Sequence, residues 1–310
     1  MGRGRPANQP EHGLIMTLAP EYWRSLLFVP ANNPRFIDKA KSVEADAIQL
    51  DLEDSVYHTD KDKEDARACI ATAAKSLRLA GKTVSVRINQ PLDLAVRDIE
   101  AAVCEDVSVL ALPKIAAAAH VKLIEALVEK CEIKVGMAVG TIQFIVAVET
   151  LSAFYQLRSI ASSSARIMGL MLGSEDFAWE CGCEPSEEVM RGLKQQMIVA
   201  AREAGVRPLG YIGSLSNFRN LEEFESMVRR SRAFGFDGAT CIHPAQVPIV
   251  NRVFGIEEDE FAHAKKVMDN ADIARREGKA AFSVDGKMVD KPIIDRAERV
   301  LLRARLYRTS

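Results

Sequence analysis

The chain has 310 residues, 48% of them hydrophobic and 27% charged, with a formal net charge of −2. This is globular composition, long enough for two average domains or one large α/β barrel. The near-neutral balance leaves no electrostatic footprint for nucleic acid, and no apolar run is long enough to span a bilayer.

Residues 1–20 lack an apolar core and a cleavage signature, which argues against a secretory leader and for a polar, flexible arm. Six cysteines, at 69, 104, 131, 181, 183 and 241, are scattered without a Cys-x-x-Cys pair. That pattern fits reduced thiols in a cytoplasmic protein. Cys181-Gly182-Cys183 is expected to be ordinary packing or a loop rather than a soft-metal site.

Eight apolar, β-branched runs follow: SLLFVP (25–30), AIQLDLEDS (47–55), TVSVRIN (83–89), SVLALPK (108–114), IQFIVAVET (142–150), RIMGLMLGSEDF (166–177), PLGYIGS (208–214) and GATCIHP (238–244). Helical patterns separate them, and strict β/α alternation predicts a parallel sheet with helical crossovers. Eight such units match a (β/α)8 TIM barrel, which takes ~250 residues. A doubly wound open sheet is the competitor, but no Gly-rich dinucleotide fingerprint follows the first strand. The expected barrel covers 21–255, and 256–310 forms a C-terminal extension. In it a charged amphipathic helix precedes a hairpin turning at Asp285-Gly286, then a last helix with Pro292 near its start.

Polar residues cluster where these runs end, the end that carries a barrel's active site. The second run ends in Asp51, Glu53 and Asp54, the third in Arg87 and Asn89, the fourth in Lys114. The fifth ends in Glu149 and Thr150, the sixth in Ser174, Glu175 and Asp176, the eighth in His243. Glu149 and Asp176, on adjacent strands, suit a hard divalent cation such as Mg²⁺, which takes carboxylates, waters and substrate oxygens. Arg87 offers a planar fork for a substrate carboxylate. A cation beside a guanidinium can hold a 2-oxo or 2-hydroxy acid and support C–C bond chemistry next to a carbonyl. Lys114 is expected to pair with the acids of the second run rather than form a Schiff base, which needs a desolvated amine without close anions. His243 is read as structural rather than as a general base.

Read together and in order, RSLLFVPANNPRFIDKA, IQLDLEDSV, VSVRIN, LALPK, VAVET, LGSEDF, GFDGATCIHPAQVPIVNRVF and GKMVDKP resemble the citrate lyase beta-subunit-like family, which includes malyl-CoA and citramalyl-CoA lyases. The likeness runs from about residue 24 to 308. It implies a Mg²⁺-dependent (β/α)8 lyase that cleaves a 3-hydroxyacyl-CoA thioester, such as malyl-CoA, citramalyl-CoA or citryl-CoA, to an acyl-CoA and a 2-oxo acid, or runs the reverse. It places the metal on Glu149 and Asp176 and the substrate carboxylate on Arg87. Glu53 and Asp54 fall behind the metal, against its waters and Lys114. Coenzyme A would lie near the first βα turn, with Arg24, Phe28, Arg35 and Lys39 as candidates. Asp290 in GKMVDKP matches an acid/base that reaches a neighbouring subunit's site in a homotrimer.

Two stretches depart from the family pattern. The seventh run, LGYIGSLSNFRNLEEF, has no acid before Glu222, and AWECGCEPSEE follows SEDF, setting bulky Trp179 near the expected mouth. Both point to a larger or more apolar acyl group, or an unusual carrier. Three other readings compete: an acyl-carrier-dependent citrate lyase beta subunit, a metal-dependent aldolase for free 2-oxo acids, and a catalytically silent binding protein. A full-length hairpin with Asp290 argues against the first. Idle Arg24, Arg35 and Lys39 argue against the second, and intact Glu149, Asp176 and Arg87 against the third.

Overall fold

A computed structural model describes residues 22–214 and 220–308, so the arm expected at 1–20 lies outside the described residues. Eight parallel strands form one sheet: β1 (Ser25–Pro30), β2 (Ala47–Asp51), β3 (Thr83–Arg87), β4 (Val109–Leu112), β5 (Gln143–Val148), β6 (Ile167–Leu172), β7 (Arg207–Pro208) and β8 (Ala239–Cys241). Their order is β7-β6-β5-β4-β3-β2-β1-β8, and a parallel bridge between Leu209 and Gly238 joins the two ends. The sheet therefore closes on itself, a (β/α)8 barrel as the alternation predicts.

Around it run α1 (Pro34–Ala40), α2 (Asp60–Leu79), α3 (Leu92–Ala102), α4 (Ala118–Lys134), α5 (Leu151–Phe154), α6 (Leu157–Ala161), α7 (Ser174–Cys181), α8 (Glu187–Glu203), α9 (Leu221–Phe234) and α10 (Val247–Phe254). Strand residues alternate between two cores. Leu27, Val29, Ile48, Leu50, Val84 and Val86 face outward into the core shared with the helices. Leu26, Ala47, Val109, Ile145 and Leu209 fill the barrel's inside. Ile48 and Leu50 are fully buried, each stabilising the fold by roughly 1.5–3 kcal/mol.

Several runs are longer in the sequence than the strands they form. β2 stops at Asp51, because the next three residues turn back under Lys63, and SEDF is the first turn of α7 rather than strand. The seventh run yields only two strand residues. Pro208 has no N–H for the ladder, and Gly210 takes a φ of 131°, which breaks extended backbone.

Beyond the barrel, α11 (Glu258–Arg276) leads into an antiparallel hairpin of β9 (Phe282–Val284) and β10 (Lys287–Val289), then α12 (Lys291–Arg308). Asp285 and Gly286 both have positive φ, 51° and 75°, as a two-residue hairpin turn requires. Ala264, Val267, Val284, Val289 and Ala297 give this extension a small core of its own. Among the described residues no helix is long and apolar enough to cross a membrane.

Candidate active site

The carboxyl ends of the strands surround a cavity of about 260 Å³, lined by Arg87, Glu149, Glu175 and Asp176 above an apolar wall that includes Ile145, Ala147 and Met171. Strand register makes the centrepiece. Asp51 and Arg87 are direct partners across β2 and β3. Arg87 Nε and Nη2 each donate to Asp51 at 2.7 Å, while Nη1 lies 2.7 Å from Glu53 and 3.5 Å from Asp54. Its guanidinium stacks over the Phe28 ring, 4.8 Å from the centroid.

Burial alone would raise the Asp51 carboxyl, but the hydrogen bonds and charge of Arg87 outweigh it and hold the group below its ordinary range. Arg87 is in turn held above its ordinary value, because these acids outweigh the cost of its burial. The sequence reading offers the Arg87 fork to a substrate. In the structure two of its nitrogens are committed to Asp51, a residue that reading left without a role. Period-2 alternation carries the signal, since Asp51 and Arg87 end their strands in the same inward register.

Glu149 leaves the end of β5 only 8% exposed. Its side chain lies against the backbone of Gly173, where an added Cβ would come within 2.6 Å of the glutamate Cγ and 3.1 Å of Oε1. Asp176 sits in the first turn of α7, whose backbone amides favour negative charge. Phe177 anchors that helix, fully buried edge-on to Phe154 with centroids 5.4 Å apart. Burial, then the charges of Glu53 and Asp176, push the Glu149 carboxyl up to about 7. Burial likewise raises Glu53 to about 7, and its Oε1 has no hydrogen bond.

Lys114 lies between these acids, 3.4 Å from Glu53 and 3.5 Å from Asp176, on backbone with a φ of 47°. A non-glycine residue in that region stores strain, a feature that gathers at functional sites. Burial would lower the lysine, but Glu53, Asp176, Asp54 and Glu149 hold it above its ordinary value. That is the opposite of the depressed amine a Schiff base needs.

A divalent cation fits this donor set. Burial and the charges of Glu53 and Asp176 raise Glu149, and a cation between Glu149 and Asp176 would relieve that cost. Among the described residues no group of three or more His, Cys, Asp or Glu side chains is gathered to hold a metal. Two carboxylates with open positions suit Mg²⁺ rather than a closed structural metal.

Other rim residues turn out to be supports. Asn89 is buried, donating to the Leu52 carbonyl at 2.9 Å and to Asp98 at 2.7 Å. Thr150 caps α5. His243 accepts from Ala245 N at 3.2 Å, capping a short helical turn at Pro244–Gln246. Ser214, which the sequence reading passed over, donates to Glu175 at 2.8 Å. Trp179 is 85% exposed on α7 and lines neither this cavity nor the next, which corrects its expected place at the mouth.

A second cleft, of about 710 Å³, adjoins the first through Phe28 and Arg87 and is lined by Phe36, Lys39, Val43, Ile242 and Pro244 among others. Of the four residues expected at coenzyme A, Phe28 and Lys39 line it, and Arg35 is exposed on α1 outside the lining. Arg24 requires correction. It precedes the 6-residue β1 and so sits at the amino-terminal end of the barrel, ~20 Å from the mouth. There it clasps Asp46 at 2.8 and 2.7 Å. Asp290 also stands apart. Its carbonyl accepts from Ile293 and Ile294 at the start of α12, and it lines neither cavity of its own chain.

A family model described as HpcH/HpaI aldolase/citrate lyase matches residues 24–244. The chain belongs to that family. A second model, a C–C bond lyase of the TIM-barrel fold, matches residues 199–309. The citrate lyase subunit beta of Leuconostoc mesenteroides subsp. cremoris is 32% identical over 285 residues, covering 90% of this chain and 92% of that protein. An L-malyl-CoA/beta-methylmalyl-CoA lyase of Cereibacter sphaeroides is 30% identical over 307 residues, covering 91% and 95%. Among solved structures, CitE of Mycobacterium tuberculosis in complex with magnesium, acetoacetate and coenzyme A superposes with a TM-score of 0.69 at 28% identity, covering 90% of this chain and 97% of that one. This is a carbon–carbon lyase family related to coenzyme A chemistry.

Proposed function

We propose that the protein is a Mg²⁺-dependent carbon–carbon lyase that cleaves a 3-hydroxyacyl-CoA thioester, of the malyl-, citramalyl- or citryl-CoA type, into an acyl-CoA and a 2-oxo acid, or condenses the two. The observation that carries this is the single rim that gathers Asp176, Lys114 and Arg87 around a buried Glu149, beside an apolar cleft. The magnesium-bound neighbour and the CoA-named relatives support it.

Glu149 and Asp176 would hold Mg²⁺, which when bound supplies an electrophile for a substrate oxygen. Lys114 neutralises Asp176 and Glu53 and keeps the acids from repelling a carboxylate substrate. Arg87, held by Asp51 and Glu53 and stacked on Phe28, lines the cavity as a fixed positive charge that stabilises the charge developing on a substrate oxygen. In cleavage the hydroxyl proton leaves to a base, the C–C electron pair passes to the thioester α-carbon, and that carbon takes a proton. Asp290 of a neighbouring subunit is assigned that proton transfer, within a homotrimer in the cytoplasm. Phe28 and Lys39, with Arg35 nearby, would guide the CoA arm along the outer cleft.

A carrier-bound thioester is the second reading. The cleft is mostly apolar, with Lys39 and Arg87 as its lining cations, which suits a pantetheine arm as well as a nucleotide. Titration calorimetry with Mg²⁺ tests the metal assignment. Wild type binds, and Glu149→Ala and Asp176→Ala each lose the binding. Unchanged affinity in either variant would remove that residue from the metal site.

A further inference from the structure

Barrel interiors are filled by branched apolar side chains, yet the floor of this cavity holds an amide and a hydroxyl with unanswered hydrogen-bonding capacity. On β2, Ala47, Gln49 and Asp51 point inward while Ile48 and Leu50 join the outer core. Gln49 pairs in register with Phe28 on β1 and Ser85 on β3, one layer beneath Asp51 and Arg87. It is 2% exposed and still lines the cavity. Its amide has one contact, a long one of 3.5 Å from Ser85 Oγ to Oε1, and among the described residues Nε2 has no partner.

Thr240, in register with Leu26, is 5% exposed and lines the same cavity. Its carbonyl accepts the Tyr211 hydroxyl at 2.7 Å, and among the described residues its own hydroxyl has no partner. Neither Nε2 nor the hydroxyl is among the fully buried unpaired atoms, so both open on the cavity rather than into packed core. Two neutral hydrogen-bonding side chains opening on one cavity can answer a ligand oxygen there.

We infer that Gln49 and Thr240 form a polar subsite at the floor of the catalytic cavity, which takes a hydroxyl- or carbonyl-bearing branch of the 2-oxo acid. This rests on the lyase function proposed above and specifies its substrate. The thioester arm leaves through the outer cleft, so the group that reaches the closed floor belongs to the other side of the C–C bond. Both donors are neutral, and Asp51, Glu53 and Glu149 stand above them. A second carboxylate at the floor would find Arg87, the cation of the next layer, already held by Asp51 and Glu53, whereas a neutral oxygen accepts from the amide and the hydroxyl. An alkyl branch would leave both groups dry and unpaired. A site built to bind an oxygen discriminates far more strongly than one that only excludes bulk.

The test compares hydroxypyruvate with 2-oxobutyrate, which differ by a hydroxyl in place of a methyl. Affinities are measured by ligand-observed NMR on the whole protein with Mg²⁺. Wild type should prefer hydroxypyruvate by about tenfold or more, the net worth of one hydrogen bond. The preference should collapse toward unity in Gln49→Met and narrow in Thr240→Val. The wild-type ratio decides even where a variant fails to fold. Affinities within about twofold of each other would overturn the subsite and leave a water-filled floor, and so would a preference that Gln49→Met and Thr240→Val both keep. Binding of neither acid would also overturn it. Turnover of a malyl thioester is scored separately. Turnover without the hydroxyl preference removes only the subsite, and the preference without turnover removes only the lyase function.

Discussion

Gly173 shows how one residue can seat the side chain of another. The Glu149 side chain occupies the space its Cβ would fill. Gly173→Ala should therefore displace the carboxylate, lower stability by about 1–3 kcal/mol and weaken Mg²⁺ binding about tenfold. A variant with unchanged melting and unchanged Mg²⁺ affinity would show that Glu149 does not need this seat. The raised Glu149 carboxyl gives a second prediction. Burial and neighbouring charge carry it from its ordinary 4.5 to about 7, so the metal-free fold binds more protons than the unfolded chain between those values. Stability attributable to Glu149 is then lost as pH rises through that window. Without metal, Glu149→Gln should be more stable than wild type at pH 8, by roughly 2 kcal/mol, with the difference vanishing near pH 4. Equal stability at both pH values would mean that the carboxylate is well solvated or paired. Sequence position alone singles out Glu149 and Asp176, because an acid after a long apolar run is conspicuous, and the structure sets both on the lining of one cavity. It misjudged Arg24, since a basic residue just before a strand and one just after it look alike until strand direction is fixed.

At the level of elements, buried lysines brace two of the loops that follow the strands. Lys63 on α2, 4% exposed, donates to the carbonyls of Leu52 and Glu53 at 2.7 and 2.6 Å. Lys194 on α8, 2% exposed, does the same for Ile212 and Gly213 at 3.0 and 3.3 Å. Lys63→Met leaves two buried carbonyls short of a donor and should cost about 2–3 kcal/mol. Amide exchange should quicken at residues 52–56 while residues 210–214 keep their protection. Uniform quickening across the barrel would mean a global loss of stability rather than a local brace. Neither lysine stood out in the sequence, because a lysine on an amphipathic helix reads as solvated surface. Strand ends blurred for a related reason. Hydrophobic pattern does not register where hydrogen bonding passes from ladder to turn, so SEDF was joined to β6 although it opens α7, and β7 kept only two of its expected residues.

For the molecule as a whole, eight alternating β and α signals were enough to foresee the closed barrel, and the Asp285-Gly286 turn to foresee the hairpin. Among the described residues, Asp290 of the extension lines neither cavity of its own chain. If sites are completed between subunits, mixing inactive Glu149→Ala with inactive Asp290→Ala should restore part of the activity, because some sites then combine an intact metal pair with an intact aspartate. No recovery on mixing, with both variants folded and oligomeric, would confine Asp290 to its helix-capping place. Mg²⁺-dependent C–C cleavage at the Glu149–Asp176 rim is the proposed activity. The most direct measurement is release of a 2-oxo acid from malyl-, citramalyl- and citryl-CoA by the purified protein, with Mg²⁺ and then with EDTA. Turnover of at least one thioester with Mg²⁺, abolished by EDTA and by Glu149→Ala, is the predicted result. Turnover that persists in EDTA, or in Glu149→Ala, would contradict the account.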